Sequence, residues 1–247
     1  MKSDVVIGVI PARGASRRVP KKNIKEIGGR PLIAWTIEQA KRSKELDYFF
    51  VSTDDPQIVE ISKKYGASVP FKRPPEISED VDTSFVLSHA LDWYETTHKK
   101  VDYIVCLQPT SPFRSASDID NCIKVARETD ADTVVSVTQA KQHPYWMFEM
   151  DTISQRLTPF MDIELEGDNL IWQKLPFILY PNGAVYVTKS ECIRANRIYG
   201  PKLYGYIMPQ QRSIDLEEEY DFIVASALYK VYGENPESWT IFSWTVQ

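Results

Sequence analysis

The sequence predicts an α/β protein of three layers, a mainly parallel sheet with helices on both faces. Three observations carry that expectation. Four short apolar runs, at residues 5–10, 48–52, 103–107 and 133–137, lack the alternation of a half-exposed strand and suit strands buried on both faces. Between them, apolar residues recur at helical spacing. At 247 residues, 43% hydrophobic and 26% charged, the chain is long enough for one large core and ordinary in composition for a globular protein.

The first run, Val5-Val6-Ile7-Gly8-Val9-Ile10, is broken at once by Pro11 and Gly14. Gly28-Gly29-Arg30-Pro31 then turns into a helix with Ile33, Ile37 and Ala40 on one face. Residues 48–52 form the second strand. Asp55 is placed as an N-cap, Pro56 sits in the first turn, and Gly66 stops the helix whose inner face is Ile58, Ile61 and Tyr65. Val69-Pro70-Phe71 is a short extended piece before the loop Lys72-Arg73-Pro74-Pro75. Leu87, Ala90, Leu91 and Tyr94 mark a third helix starting near Thr83. The third strand runs into Gln108-Pro109-Thr110-Ser111-Pro112-Phe113-Arg114, and Ser117 is placed to cap a helix carrying Ile119, Cys122, Ile123 and Ala126. After the fourth strand the pattern changes. From residue 139 to 180, long periodic segments give out and Trp, Tyr, Phe, Met and Pro become frequent, which suits an insertion that covers a substrate, forms an interface, or both. Strands are expected again at 184–187 and 205–208, with a short helix at 190–196 between them. Ser213-Ile214-Asp215-Leu216-Glu217 leads to a last helix with Phe222, Ala225 and Leu228 facing inward. The expectation is one domain over residues 1–247, with 139–180 as an insertion within it.

The loop after the first strand carries Arg13, Arg17, Arg18, Lys21, Lys22 and Lys25, with no acid before Glu26. Open α/β sheets bind ligands at the carboxyl ends of their strands, and backbone amides approach a phosphate closely where side chains are small. The loop therefore suits a polyanion. The net charge of −5 makes it a local feature and disfavours a nucleic-acid partner. Nothing matches GxxxxGK[ST], and no GxGxxG follows the first strand. No apolar run approaches the roughly 18 residues of a membrane span. Met1-Lys2-Ser3-Asp4 opens no signal-peptide pattern. Cys106, Cys122 and Cys192 lack metal-binding spacing, and their odd number favours a reducing cytoplasm. His89, His98 and His143 fit no nucleophile–base spacing.

Four loops should meet at one sheet edge: residues 13–23, 73–84, 108–114, and 215–217 with Asp221. A basic loop facing acids suits a nucleoside triphosphate with a divalent metal. Taken alone, Asp215, Glu217 and Asp221 suit a helix start equally well.

The stretch from Ile10 to Asn23 resembles the nucleotide-binding motif of the N-acylneuraminate cytidylyltransferases, IPARGGSKRxPxKN, with Ala15 and Arg17 as mild changes. The likeness continues through Pro31-Leu32-Ile33-Ala34-Trp35-Thr36-Ile37, Ser52-Thr53-Asp54-Asp55, Arg73-Pro74 with Asp80 and Ser84, and Leu107-Gln108-Pro109-Thr110-Ser111-Pro112. It ends with Asn182-Gly183-Ala184 and the late acidic motif, so it spans nearly the whole chain in order. The resemblance implies a Rossmann-like nucleotidyltransferase fold. It implies a reaction in which the anomeric 2-hydroxyl of a nine-carbon 2-keto sugar acid attacks the α-phosphate of CTP and pyrophosphate leaves. It places Arg13, Ser16, Lys22 and Asn23 on the triphosphate and nucleoside, and Arg73, Asp82 and Ser84 on cytosine and ribose. Gln108, Lys141 and Asn182 fall on the sugar acid, and Asp215 and Glu217 on Mg²⁺. The resemblance gives the catalysis to Arg13, Lys22 and Asp215. It also implies a homodimer joined through residues 139–180, and the cysteines, net charge and hydropathy lead to the expectation of a cytoplasmic protein with neither nucleic acid nor membrane as partner.

Three departures bear on the sugar, one of them the aromatic-rich insertion of residues 139–180. Glu217 stands where the family's second Asp is usual, and Ile171-Trp172-Gln173 stands where Arg-Arg-Gln is frequent. Legionaminic and pseudaminic acids join sialic acid as candidates, and Gln108-Pro109-Thr110-Ser111-Pro112 leans toward the sialic or legionaminic branch. Two alternatives stay open: a cytidylyltransferase for 3-deoxy-manno-octulosonate, and a nucleotide-binding protein that kept the fold without catalysis.

Overall fold

A computed structural model describes residues 4–239; Met1-Lys2-Ser3, on which the leader-peptide reading rests, lie outside them. The described residues form two compact units, one built from residues 4–137 together with 181–239, the other Thr138–Tyr180.

In chain order, β1 (Val6–Pro11) leads into the basic loop, a 3-10 turn at Lys22–Ile24, and a hairpin of β2 (Glu26–Ile27) and β3 (Arg30–Pro31). Then come α1 (Leu32–Arg42), β4 (Tyr48–Ser52), α2 (Pro56–Lys64), α3 (Thr83–Thr97), β5 (Tyr103–Cys106), α4 (Ala116–Thr129) and β6 (Thr133–Gln139). The second unit holds β7 (Phe148–Met150) and β8 (Leu157–Pro159). The chain continues with β9 (Leu179–Lys189), α5 (Ser190–Arg194), β10 (Leu203–Ile207) and α6 (Glu219–Tyr232).

Six strands form one sheet in the order β10-β6-β9-β5-β1-β4. β1 runs parallel to β4 and β5, and β10 parallel to β6. β9 is antiparallel to β5, with Ile104 opposite Thr188 and Cys106 opposite Tyr186. A parallel neighbour requires a crossover, commonly a helix. β9 instead returns from the stretch after β6, so it is free to run the other way.

Alternate residues of β1 feed opposite cores. Val6 and Ile10 pack with Ile33 and Ile37 of α1 and Ile119 and Ile123 of α4. Ile7 and Val9 pack with Leu87, Leu91 and Tyr94 of α3. That period of two on a strand buried on both faces explains why the run shows no polar alternation. A third cluster gathers Val19 of the basic loop, Phe113, Leu216, Phe222 of α6, Trp35 of α1 and Trp239.

Local signals set the helix ends. Asp55 Oδ1 accepts the amides of Gln57 (2.7 Å) and Ile58 (3.1 Å), capping α2. Gly66, at φ 85°, ends it in a left-handed conformation that costs glycine little. α4 is capped by Ser115 rather than the expected Ser117. Asp118 Oδ2 accepts the Ser115 amide (2.9 Å) while Ser115 Oγ accepts the Asp118 amide (3.2 Å), completing a capping box. Asp120, three residues after Ser117, is drawn away instead by the Ser43 hydroxyl and the Lys44 amide. Ser117 donates its amide and its hydroxyl to Glu237.

In the second unit β7 and β8 pair antiparallel, Met150 opposite Leu157. The Trp146 indole donates to Asn169 O (2.8 Å) and its ring lies 5.6 Å from that of Trp172. Ile153, Phe160, Met150 and Leu157 are exposed, Ile153 almost completely at 95%. Among the described residues, no helix is long and apolar enough to cross a membrane.

The acidic motif is anchored to α4 by a buried ion pair, Arg212 to Asp118, through two hydrogen bonds of 2.7 and 3.0 Å. Removing one charge of a buried pair strands the other, at a cost of about 3–5 kcal/mol. Asp118→Asn should therefore lower the urea midpoint by the equivalent of about 3 kcal/mol at unchanged slope. A loss under about 1 kcal/mol would mean that the pair is not what holds this corner.

Candidate nucleotide-binding site

The carboxyl ends of β1 and β5 open onto a cavity of about 600 Å³ whose wall includes Arg13, Ser16, Lys22, Asn23, Arg73, Asp80, Gln108, Thr110 and Glu217. That volume suits a nucleotide-sized ligand.

The basic loop is shaped from within. The Ala12 amide donates to Ser52 O (2.9 Å), extending the strand pairing by one residue. The Gly14 amide then donates to Asp54 Oδ1 (2.9 Å). A Cβ on Gly14 would stand 2.6 Å from Asp55 Oδ2, so only glycine lets the loop pass. Buried Asn23 donates from Nδ2 to Arg13 O (2.9 Å), fixing the backbone that carries Arg13. Lys22 reaches across to donate to Leu216 O (2.8 Å), tying the basic loop to the acidic motif.

The cations meet carboxylates across the cavity. Arg13 and Arg17 both pair with Asp80, the latter at 2.9 Å, and Arg18 pairs with Glu217. The hydrogen bond from Arg13 holds the Asp80 carboxyl below the usual carboxylate range. Arg73 is buried and braced by Ser52, its Nε donating to Ser52 Oγ (3.1 Å) and its Nη2 to Ser52 O. Burial lowers its pKa to about 10, which still leaves it charged at neutral pH.

Asp82 and Ser84 sit at the start of α3. Asp82 Oδ1 accepts the Ser84 amide (2.7 Å) as the helix cap, and Ser84 is buried. The flanking residues Val81 and Thr83 line the cavity. Asn182 is turned inward. Its Oδ1 accepts from Ser136 Oγ (2.7 Å) and the Ala184 amide (3.2 Å), and its Nδ2 donates to Ser213 Oγ (2.8 Å). It holds β9 to the acidic motif. Lys141 lies exposed on the second unit.

The three late acids divide. Asp221 Oδ2 accepts the amides of Glu217 and Glu218, both at 2.8 Å, and completes a capping box with Glu218, the N-cap of α6. Glu217 faces the cavity. Asp215 Oδ1 is buried without a hydrogen-bond partner among the described residues. Burial raises its pKa, a hydrogen bond from the Thr110 side chain opposes the rise, and the charge of Glu217 adds to it. Gly183 closes over this carboxylate at φ 74°. A Cβ there would stand 3.1 Å from Asp215 Oδ2 and 3.2 Å from both Gln108 Oε1 and Ser111 Oγ, so three oxygens converge on one small space. Among the described residues, no cluster of three or more His, Cys, Asp or Glu is arranged to hold a metal ion, so any cation here would rest on fewer acids.

Sequence reasoning gave Arg114 no role, yet it is fully buried beneath Gln108. The available signal was a charged residue directly after the apolar Pro112-Phe113.

Residues 7–157 match the family model described as cytidylyltransferase. The chain belongs to the cytidylyltransferase family. It is thus a nucleotidyltransferase, in line with the motifs at residues 10–23 and 107–112. Among relatives, it is 31% identical over 239 residues to a CMP-N,N'-diacetyllegionaminic acid synthase of Legionella pneumophila, covering 93% of this chain and 98% of that one. It is also 31% identical over 225 residues to an N-acylneuraminate cytidylyltransferase of Escherichia coli, covering 89% of this chain but 51% of that longer protein. A solved CMP:2-keto-3-deoxy-manno-octonic acid synthetase complexed with CTP has a similar fold, with a TM-score of 0.68 at 15% identity, covering 92% of this chain and 99% of that one.

Because Asp80 occupies the guanidinium groups of Arg13 and Arg17, it competes with any polyphosphate for them. Asp80→Asn should tighten the binding of inorganic tripolyphosphate by about 3- to 10-fold in low salt, measured by calorimetry. Weaker binding in the variant would show that Asp80 assists the anion instead.

Proposed function

We propose that this cytidylyltransferase transfers CMP from CTP to the anomeric 2-hydroxyl of a nonulosonic acid, releasing pyrophosphate, with Mg²⁺ as cofactor. The observation that carries the reading is a single cavity joining Arg13, Lys22 and Arg73 to Gln108 and to Glu217 of the acidic motif. The relative described as a legionaminic acid synthase, matched over nearly its whole length, supports a nine-carbon sugar acid as acceptor.

Arg13 and Lys22 hold the phosphate oxygens. They accelerate the reaction to the extent that they bind the charge on the leaving pyrophosphate better in the transition state than in CTP. Arg73, immobilised on Ser52, offers a rigid donor to the nucleoside. Gln108 meets the sugar acid and sets the line from its hydroxyl to phosphorus. The residues present fit a divalent cation, because Asp215 Oδ1 is buried and unpartnered and its charge lies within the influence of Glu217. Asp215 would hold it, with Glu217 released from Arg18. Bound there, Mg²⁺ would neutralise phosphate charge and acidify the attacking hydroxyl. No histidine lines the cavity among the described residues, so the chain brings no imidazole base to it.

The second unit is proposed as the dimer interface. Its Ile153, Phe160, Met150 and Leu157 are exposed, and a partner's surface would cover them. The three cysteines are free and buried, which supports a cytoplasmic enzyme.

Incubation with CTP, Mg²⁺ and a panel of N-acetylneuraminic, legionaminic and pseudaminic acids should release pyrophosphate with at least one acid. Asp215→Asn should abolish that release by a factor of about 100 or more while the protein still unfolds cooperatively. CTP binding without pyrophosphate release from any acid would leave a binding protein and defeat the proposal. For the second unit, sedimentation should give a dimer, and Ile153→Glu combined with Phe160→Glu should give a monomer. A double variant that stays dimeric places the interface elsewhere.

A further inference from the structure

Arg114 is an arginine without a surface. It lies just before the cap of α4, its side chain is fully buried, and its guanidinium is shared among three segments of the chain. Nη2 donates to the backbone carbonyl of Gln108, Nε donates to Ala184 O (2.8 Å), and Nη1 donates to Thr36 Oγ1 (2.7 Å). Its acceptors are thus two carbonyls and a hydroxyl, none of them a carboxylate. Burial lowers its pKa to about 10, and the nearby charges of Asp118 and Asp215 oppose that fall. A buried guanidinium bonded mainly to neutral oxygens is a costly choice for simple core filling, where an apolar side chain of similar volume would serve at least as well.

The two carbonyls are informative because of what adjoins them. Gln108 O belongs to the residue whose side chain faces the cavity. Ala184 O belongs to the residue after Gly183, whose close packing brings Asp215 Oδ2, Gln108 Oε1 and Ser111 Oγ together. The Gln108 carbonyl also accepts the Ser111 amide (3.3 Å), opening the turn that carries Ser111. One planar fork therefore sets the spacing between the loop after β5 and the Gly183 turn of β9. The phosphate-holding residues Arg13 and Lys22 are outside its reach, since they are fixed by Asn23 and Leu216.

We propose that Arg114 is a positioning residue for the acceptor half of the site, holding Gln108 and the Gly183 turn at the separation the sugar acid requires; this rests on the CMP-transfer reading above. Its direction-specific fork is what matters. A lysine would keep the charge, but its single ammonium cannot present three donors in one plane to three segments.

The test compares steady-state kinetics of the wild type, Arg114→Lys and Thr36→Val with CTP and the best acid of the panel. In Arg114→Lys, kcat should fall about 100-fold and KM for the sugar acid should rise about 10-fold, as expected for a reactant displaced by a fraction of an ångström. KM for CTP should stay within about twofold. A residue that merely props the core would move both KM values together with the melting temperature. Thr36→Val removes only the Nη1 acceptor and leaves both carbonyl contacts, so it keeps the question open to measurement if the lysine variant does not fold. It should show the same split at about 5-fold in kcat. Equal changes in both KM values, or unaltered kinetics in a folded variant, overturn the role of Arg114. A wild type that turns over none of the acids overturns the reading beneath it, and that outcome is seen before any variant is compared.

Discussion

Val19, Phe113 and Leu216 come from loops far apart in sequence and meet in one buried cluster with Trp35, Phe222 and Trp239. Everything the cavity does depends on that meeting. Val19 lies inside the basic loop, Phe113 follows Gln108 by five residues, and Leu216 stands between Asp215 and Glu217. Each loop thus carries its polar groups next to an apolar anchor. Burial of such a side chain stabilises by about 1.5–3 kcal/mol, enough to fix a loop whose backbone makes few regular hydrogen bonds. Hydrophobic packing is not directional, however. The aim of the loops comes from buried polar clamps: Asn23 on Arg13 O, Asn182 between Ser136 and Ser213, Arg212 on Asp118, and Arg114 on Gln108 and Ala184.

The charges around the cavity are balanced differently from those beneath it. Arg13, Arg17 and Arg18 are paired with Asp80 and Glu217 while partly exposed, and such pairs contribute about 0–1 kcal/mol. Pairs this weak would yield to a ligand carrying several negative charges. The buried pair of Arg212 and Asp118 is a different case, because neither partner can turn to water. This separation lets the ligand-facing charges rearrange while the frame does not.

Much of the fold was legible in the sequence, because buried parallel strands are nearly uninterrupted apolar runs. Tyr48–Ser52 stands where it was expected, and α2 begins and ends on its cap and glycine signals. The direction of β9 was not legible, since the residues of a strand buried on both faces look alike whichever way it runs. The choice of Ser115 over Ser117 was decided by Asp120 turning to Ser43 and Lys44, a contact 76 residues away for the Lys44 amide. The candidate site divides in the same way. The basic loop announces itself by local charge. The inward turn of Asn182 and the burial of Arg114 depend on partners brought in by the fold, and no local pattern encodes them.

The chemistry proposed for this site is attack by a sugar hydroxyl on the phosphorus of a nucleotide held at the basic loop. The direct measurement is an isotope trace. With ¹⁸O in the anomeric hydroxyl of the sugar acid, the ³¹P resonance of the CMP product should shift upfield, because the labelled oxygen becomes the bridge between carbon and phosphorus. A product without that shift would show that the bridging oxygen comes from the nucleotide, and would contradict hydroxyl attack in this cavity.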